Sequence, residues 1–261
     1  LTIDANDIVF SYVSLELGTW GSGDSGTAII NADSLFMELT EVYGDSYGLG
    51  YETVRPGQED TFVVPNESWF FATGEGPNLT LNVKDITLSE SSIDLRSTGA
   101  GNAGSLTIHG QHLKLDNESS ISSLSAMTGN AGSINIVTDR LDVLGQSKFE
   151  TSTEYRATTL EELDLVGGAG GDLSIDAKEL YLINGSLDVG TKGSGQSGTA
   201  NIKSDSLLMI GGKINADASG EGYATENRPT GGWDAFDVSG EGTWQFATGD
   251  GPLVEINIGR I

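Results

Sequence analysis

No cysteine occurs in the 261 residues, so neither a disulfide framework nor a thiolate metal site is open to this chain. Prolines number only five against 37 glycines, and the glycines follow no strict triplet. That excludes a collagen helix and points to many tight corners. Basic residues are scarce as well. Thirteen Lys and Arg face 38 Asp and Glu, a net charge of −25, which would repel a phosphate backbone and excludes nucleic acid as a partner. Long apolar runs are missing, so no membrane span is expected, and Leu1-Thr2-Ile3-Asp4 reads as a strand rather than a signal peptide. What is present argues against disorder, because hydrophobic residues make up 37% of the chain and fall in short phased runs.

Those runs recur. Gly101-Asn102-Ala103-Gly104 is followed by Ser105-Leu106-Thr107-Ile108, then by Leu113 and Leu115, then by Ser119-Ser120-Ile121. Gly129-Asn130-Ala131-Gly132 introduces Ser133-Ile134-Asn135-Ile136 and Leu141-Asp142-Val143 in the same order, and Gly170-Gly171 and Gly198 open two more such units. A unit of roughly 27 residues cannot bury its apolar face alone, so units at this period predict neighbours stacked into one continuous core. At a strand spacing of about 4.8 Å, about eight rungs give a rod on the order of 40 Å long. Strand-like sequence at both Leu1 and Ile261 predicts further rungs on either side.

A longer repeat overlies the short one. Leu1-Thr2-Ile3-Asp4-Ala5 matches Leu173-Ser174-Ile175-Asp176-Ala177, and Trp69-Phe70-Phe71-Ala72-Thr73-Gly74 returns as Trp244-Gln245-Phe246-Ala247-Thr248-Gly249. The offset is 172 residues at the first match and 175 at the second. Residues 1–86 therefore match 173–261, with 87–172 as intervening rungs of a single segment that spans 1–261. Three stretches depart from the rung pattern, at about 38–77, 148–166 and 210–252. The first and last are rich in aromatics.

The G-N-A-G-S-hydrophobic-x-I pattern, with its downstream L-x-L and S-S-I, resembles the repeat region of filamentous haemagglutinin-like exoproteins, particularly large cyanobacterial ones. The resemblance covers most rungs but not the aromatic excursions. It implies an all-β, right-handed parallel β-helix (β-solenoid), secretion to the cell exterior, and work as a surface adhesin or structural fibre. That family's N-terminal secretion domain is not among these residues. The expected partners are copies of the chain itself or continuing rungs of the same long chain, with surface glycans as further ligands.

Candidate functional residues follow from this frame. Tyr51, Trp69, Phe71, Tyr223, Trp233, Phe236, Trp244 and Phe246 lie in the excursions, and aromatic rings serve both to stack on sugars and to anchor protein interfaces. They also suit a hairpin that covers the flank of its own rod. Asp24, Asp45, Asp172 and Asp250 sit beside glycine corners, where carbonyls could complete an oxygen cage, so calcium is the one cofactor the pattern admits. None follows a nine-residue calcium-roll repeat, and each also reads as an ordinary Asp-Gly turn. His109 and His112 could hold a metal on a strand face but read better as solvated turn residues. Parallel β-helices also include polysaccharide lyases and glycoside hydrolases with paired carboxylates, for which Asp142, Glu150, Glu154, Glu161, Glu162 and Asp164 are the candidates. With 38 acidic residues such clusters arise by chance, and no nucleophile motif or phosphate loop accompanies them. The sequence thus predicts a non-enzymatic fibre segment, with a carbohydrate-active or glycan-binding β-helix as the alternative.

Overall fold

The computed structural model describes residues 1–20, 23–47, 49–50, 70–71, 74–98, 101–126, 129–154, 168–192, 195–219, 223–224, 243–244 and 253–260. Its strands form two long parallel sheets. The first runs in the order Thr2–Asp4, Thr27–Glu38, Asn78–Ser89, Ser105–His109, Ile134–Leu144, Leu173–Ile183, Thr199–Ile210 and Leu253–Arg260. Asp7–Ser11 and His112–Asp116 extend its first and fourth rungs. The second sheet stacks Ser14–Glu16, Glu41–Tyr43, Ser92–Asp94, Ser120–Ser125, Lys148–Glu154, Ser186–Lys192 and Lys213–Ser219. Chain order and stacking order coincide, so each turn of chain lies on the one before it. This is a parallel β-solenoid of eight rungs.

Each long strand of the first sheet carries a bend. In Asn78–Ser89 the in-out alternation breaks at Lys84 and Asp85, which are both exposed, and the pairing skips from Val83 to Asp85 at the same point. Equivalent skips fall at Asp139 and Lys178. Side chains alternate strictly along a strand, so two consecutive outward residues mark a fold line that divides the sheet into two faces. With the second sheet these give the rod three faces. Inside, residues of one kind stack rung upon rung. Ile30, Leu81, Ile108, Ile136, Ile175 and Ile202 form one such column, each no more than 3% exposed. Val42, Ile93, Ile121, Phe149 and Leu187 form another beneath the second sheet. Burial of each such side chain contributes roughly 1.5–3 kcal/mol.

The G-x-x-G corner has a steric cause. A Cβ on Gly132 would lie 2.0 Å from the Gly104 carbonyl oxygen, one on Gly171 1.9 Å from that of Gly132, and one on Gly198 2.0 Å from that of Gly171. At these three positions the rungs approach so closely that a Cβ has no room, whereas the third rung has Pro77 in the same register position. Between the glycines, polar side chains tie one rung to the next. The Asn130 N–H donates to Asn102 Oδ1 at 2.8 Å, and the Ala169 N–H donates to Asn130 Oδ1 at 2.7 Å. A second corner is held by buried hydroxyls: the Thr40, Ser91 and Ser119 N–H groups donate to the Oγ of Ser91, Ser119 and Ser147, at 3.1, 3.2 and 3.1 Å. Immediately before these hydroxyls runs a column of left-handed residues, Tyr12, Leu39, Glu90, Asn117, Gly145, Asn184 and Gly211, with φ between 47° and 62°.

The excursions are shorter than the sequence boundaries suggest. Glu41–Tyr43 pairs with rungs on both sides, Lys148–Glu154 with Ser120–Ser125 and Ser186–Lys192, and Lys213–Ser219 with Ser186–Lys192. These segments assigned to the excursions are rung, because Val42, Phe149 and Ile214 fill the second sheet's inward column. All three excursions leave from one corner, after a second-sheet strand and before the next first-sheet strand.

Two outcomes test this account. Gly132→Ala should cost about 3 kcal/mol or more, read as a lower midpoint in urea denaturation. Replacing exposed Glu90, held at φ 48°, by Asn should raise stability by about 0.5–1 kcal/mol, measurable as a higher melting temperature.

Candidate functional site

The shared corner is where sequence features and geometry meet. At the first excursion Leu49–Gly50 pairs antiparallel with Phe70–Phe71, and at the second Tyr223–Ala224 pairs antiparallel with Thr243–Trp244. Under the long sequence repeat, Gly50↔Phe70 and Tyr223↔Trp244 are neighbouring steps of one register. Both excursions are thus closed at their bases by the same two-stranded stem. Phe71, Tyr223 and Trp244 lie in these stems, while Tyr51, Trp69, Trp233, Phe236 and Phe246 lie outside the described residues.

The acidic residues beside glycine corners each serve the ladder. Asp24 Oδ1 accepts the Glu75 N–H at 3.0 Å, Asp172 Oδ1 accepts the Thr199 N–H at 2.8 Å, and Asp45 Oδ1 accepts the Thr98 hydroxyl at 3.3 Å. Asp250 lies outside the described residues. No group of three or more His, Asp or Glu converges as a metal cage among the described residues.

Nor does the rod gather the predicted carboxylates into one place. Asp142 points out from the first sheet, where Arg140 Nε donates to both its oxygens at 3.0 Å and His112 Nε2 lies 2.8 Å from Oδ2. Arg140 in turn covers the Tyr181 ring at 4.3 Å. His112 is therefore a strand residue paired with a buried carboxylate one rung away, not a solvated turn residue, while His109 is exposed at a strand end. Glu150 points out from the second sheet and pairs with Lys148 at 2.6 Å. Glu154 ends that strand, and Glu161, Glu162 and Asp164 lie outside the described residues.

Sequence reasoning missed a groove on the second sheet. Ser14, Glu41, Tyr43, Asp45, Asp94 and Arg96, drawn from the first three rungs, line an open cavity of about 390 Å³. Glu41, Tyr43 and Asp45 are alternate residues of one strand and its extension, hence share its outward face. Asp94 sits beside Tyr43 in register and accepts from Arg96 at 3.0 Å and from the Ser122 hydroxyl at 2.9 Å. Burial holds the Asp45 carboxyl above its ordinary value of 3.8, with Asp94 adding to the effect and the Thr98 hydroxyl and Arg96 opposing it. The missed signal was the alternation Glu41-x-Tyr43-x-Asp45, hidden because the stretch resembled an excursion.

No family model, curated protein or solved structure matches the chain.

A raised carboxyl pKa means that the folded state binds the proton more tightly than the unfolded chain. Ionised Asp45 therefore subtracts from stability above its folded pKa, and the loss is relieved as pH falls through that value. Asp45→Asn should raise the urea midpoint at pH 7, and the gain should shrink when the measurement is repeated near pH 4.

Proposed function

We propose that this chain is a structural segment of an extracellular filament or surface adhesin fibre, with stacked rungs supplying length and the excursions supplying lateral or intersubunit contacts. The observation that carries the reading is the match between the two periodicities. The 172-residue offset takes the first rung to the sixth and the second to the seventh, so the long repeat is a whole number of rungs. Five rungs span about 24 Å, and an excursion of one design leaves the same corner at that interval. A surface patch repeated at constant azimuth suits assembly or multivalent attachment. The net charge of −25 favours solubility and suits a salty exterior. The reading accords with the likeness of the G-N-A-G-S rungs to filamentous haemagglutinin-like repeats. It gives the rod no catalytic role, and Asp142 and Glu150, on different sheets, do not form one two-carboxylate site.

Electron cryo-microscopy of the native material tests it. The expected result is a rod with an axial spacing near 4.8 Å and a coarser period near 24 Å from the excursions. Discrete, monodisperse particles whose end rungs are covered would overturn it.

A further inference from the structure

We infer that the groove on the second sheet is a binding site for a neutral oligosaccharide, with Tyr43 as the platform on which a sugar ring lies and Glu41, Asp45 and Asp94 as acceptors for its hydroxyls. The residues that line it are those of the rod wall and include none of the aromatics singled out in the excursions.

At the level of Tyr43 the neighbouring rungs present Glu16, Asp94, Ser122, Glu150 and Asp188, a polar column in which Tyr43 is the one aromatic. An outward tyrosine contributes nothing to the inward stack that holds the rod together, and its hydroxyl reaches Glu16 Oε2 at 3.4 Å, which fixes the far end of the ring. Its ring is flanked along the strand by Glu41 and Asp45 at about 7 Å on either side, two residues away in each direction. A sugar ring has an apolar C–H face and a rim of hydroxyls. An aromatic face bordered by hydrogen-bond acceptors matches both.

The charged groups are placed for different parts of such a ligand. Glu41 is exposed and makes no ion pair or side-chain hydrogen bond among the described residues, so both its oxygens are available to adjacent hydroxyls. Arg96 is anchored by Asp94 at 3.0 Å yet remains exposed, and its remaining N–H groups can donate to a ring or hydroxyl oxygen. Asp45 is partly buried and raised in pKa, and can act as acceptor or, when protonated, as donor. Gly18, beside Asp45 on the first rung, has no side chain to cover this edge, and a Cβ there would lie 2.3 Å from the Asp45 carbonyl oxygen. The volume of about 390 Å³ falls within the range of about 300–1,000 Å³ usual for small-molecule sites.

Charge then selects the ligand class. Three carboxylates face one guanidinium in the groove, on a chain whose net charge is −25. Uronate-rich or sulfated chains are repelled, which separates this site from one for acidic polysaccharides.

The inference does not rest on the fibre reading, because it concerns three rungs and is tested on the chain in solution. Ligand-observed NMR and calorimetry would be run with neutral gluco-, manno- and galacto-oligosaccharides, and with oligogalacturonate as the charged counterpart. Saturable binding of at least one neutral oligosaccharide is expected, weakened about tenfold or more by Ser14→Trp, which fills the groove from its rim, and by Glu41→Gln, which conserves shape. Tyr181→Ala, on another face, should leave it unchanged. If Ser14→Trp disturbs the fold by circular dichroism, the exposed Glu41→Gln carries the test. Absence of saturation by any neutral oligosaccharide up to about 10 mM, equal binding of oligogalacturonate, or binding indifferent to Glu41→Gln would overturn the assignment.

Discussion

Everything in this molecule depends on the in-register parallel ladder. Because each rung lies directly on its predecessor, a residue meets its structural equivalent above and below, and the chemistry of one position is repeated as a column. Apolar residues stack into the core, hydroxyls pass hydrogen bonds upward through Ser91, Ser119 and Ser147, and corner glycines bring backbones into contact. The same constraint propagates cost. A left-handed corner recurs on the first seven rungs, whether the residue is Asn184, which tolerates it, or Leu39, which does not. The structure carries this unfavourable column because the ladder on either side leaves the corner no other path.

Charge is managed along the same axis. Stacking an acidic sequence in register would set like charges about 4.8 Å apart, and the chain instead interleaves its few cations between carboxylates. Lys84 pairs with Asp33, Lys178 with Asp139 at 2.6 Å and Lys203 with Asp176 at 2.8 Å, each across one rung. The hydrogen bond to the carboxylate, before any other influence, raises each of these lysines above its ordinary value. Their contribution is therefore present at neutral pH and lost only as pH climbs through the raised value. All three are exposed, so their worth lies more in relieving repulsion than in adding stability.

The rod also separates two kinds of surface. The excursions emerge from one corner, the first and last closed by short antiparallel stems, and they interrupt the column without breaking it, since rungs resume in register after 51, 39 and 54 residues. The flat faces offer outward side chains at fixed spacing in two dimensions. That rigidity holds Glu41, Tyr43 and Asp94 on strands, with Asp45 and Arg96 two residues past the strand ends, in one shaped groove.

The rung architecture was legible in the sequence because its causes are local and repeated. Gly104, Gly132 and Gly198 recur where only glycine fits, and alternating Ile and Leu mark the inward positions. The long repeat was legible for the same reason, whereas the register of the two stems came only from the fold. Three further things were decided only by tertiary structure. The limits of the excursions depend on which short apolar segments find a place in the second sheet, as Phe149 and Ile214 do. The partners of Asp142 depend on a stacking that brings His112 beside it from 30 residues away. The groove depends on residues from three rungs that are distant in sequence and adjacent only because the ladder superposes them. Periodicity along a chain reveals that rungs stack. Which side chains meet across them depends on the register and on where insertions fall, and those are properties of the folded rod.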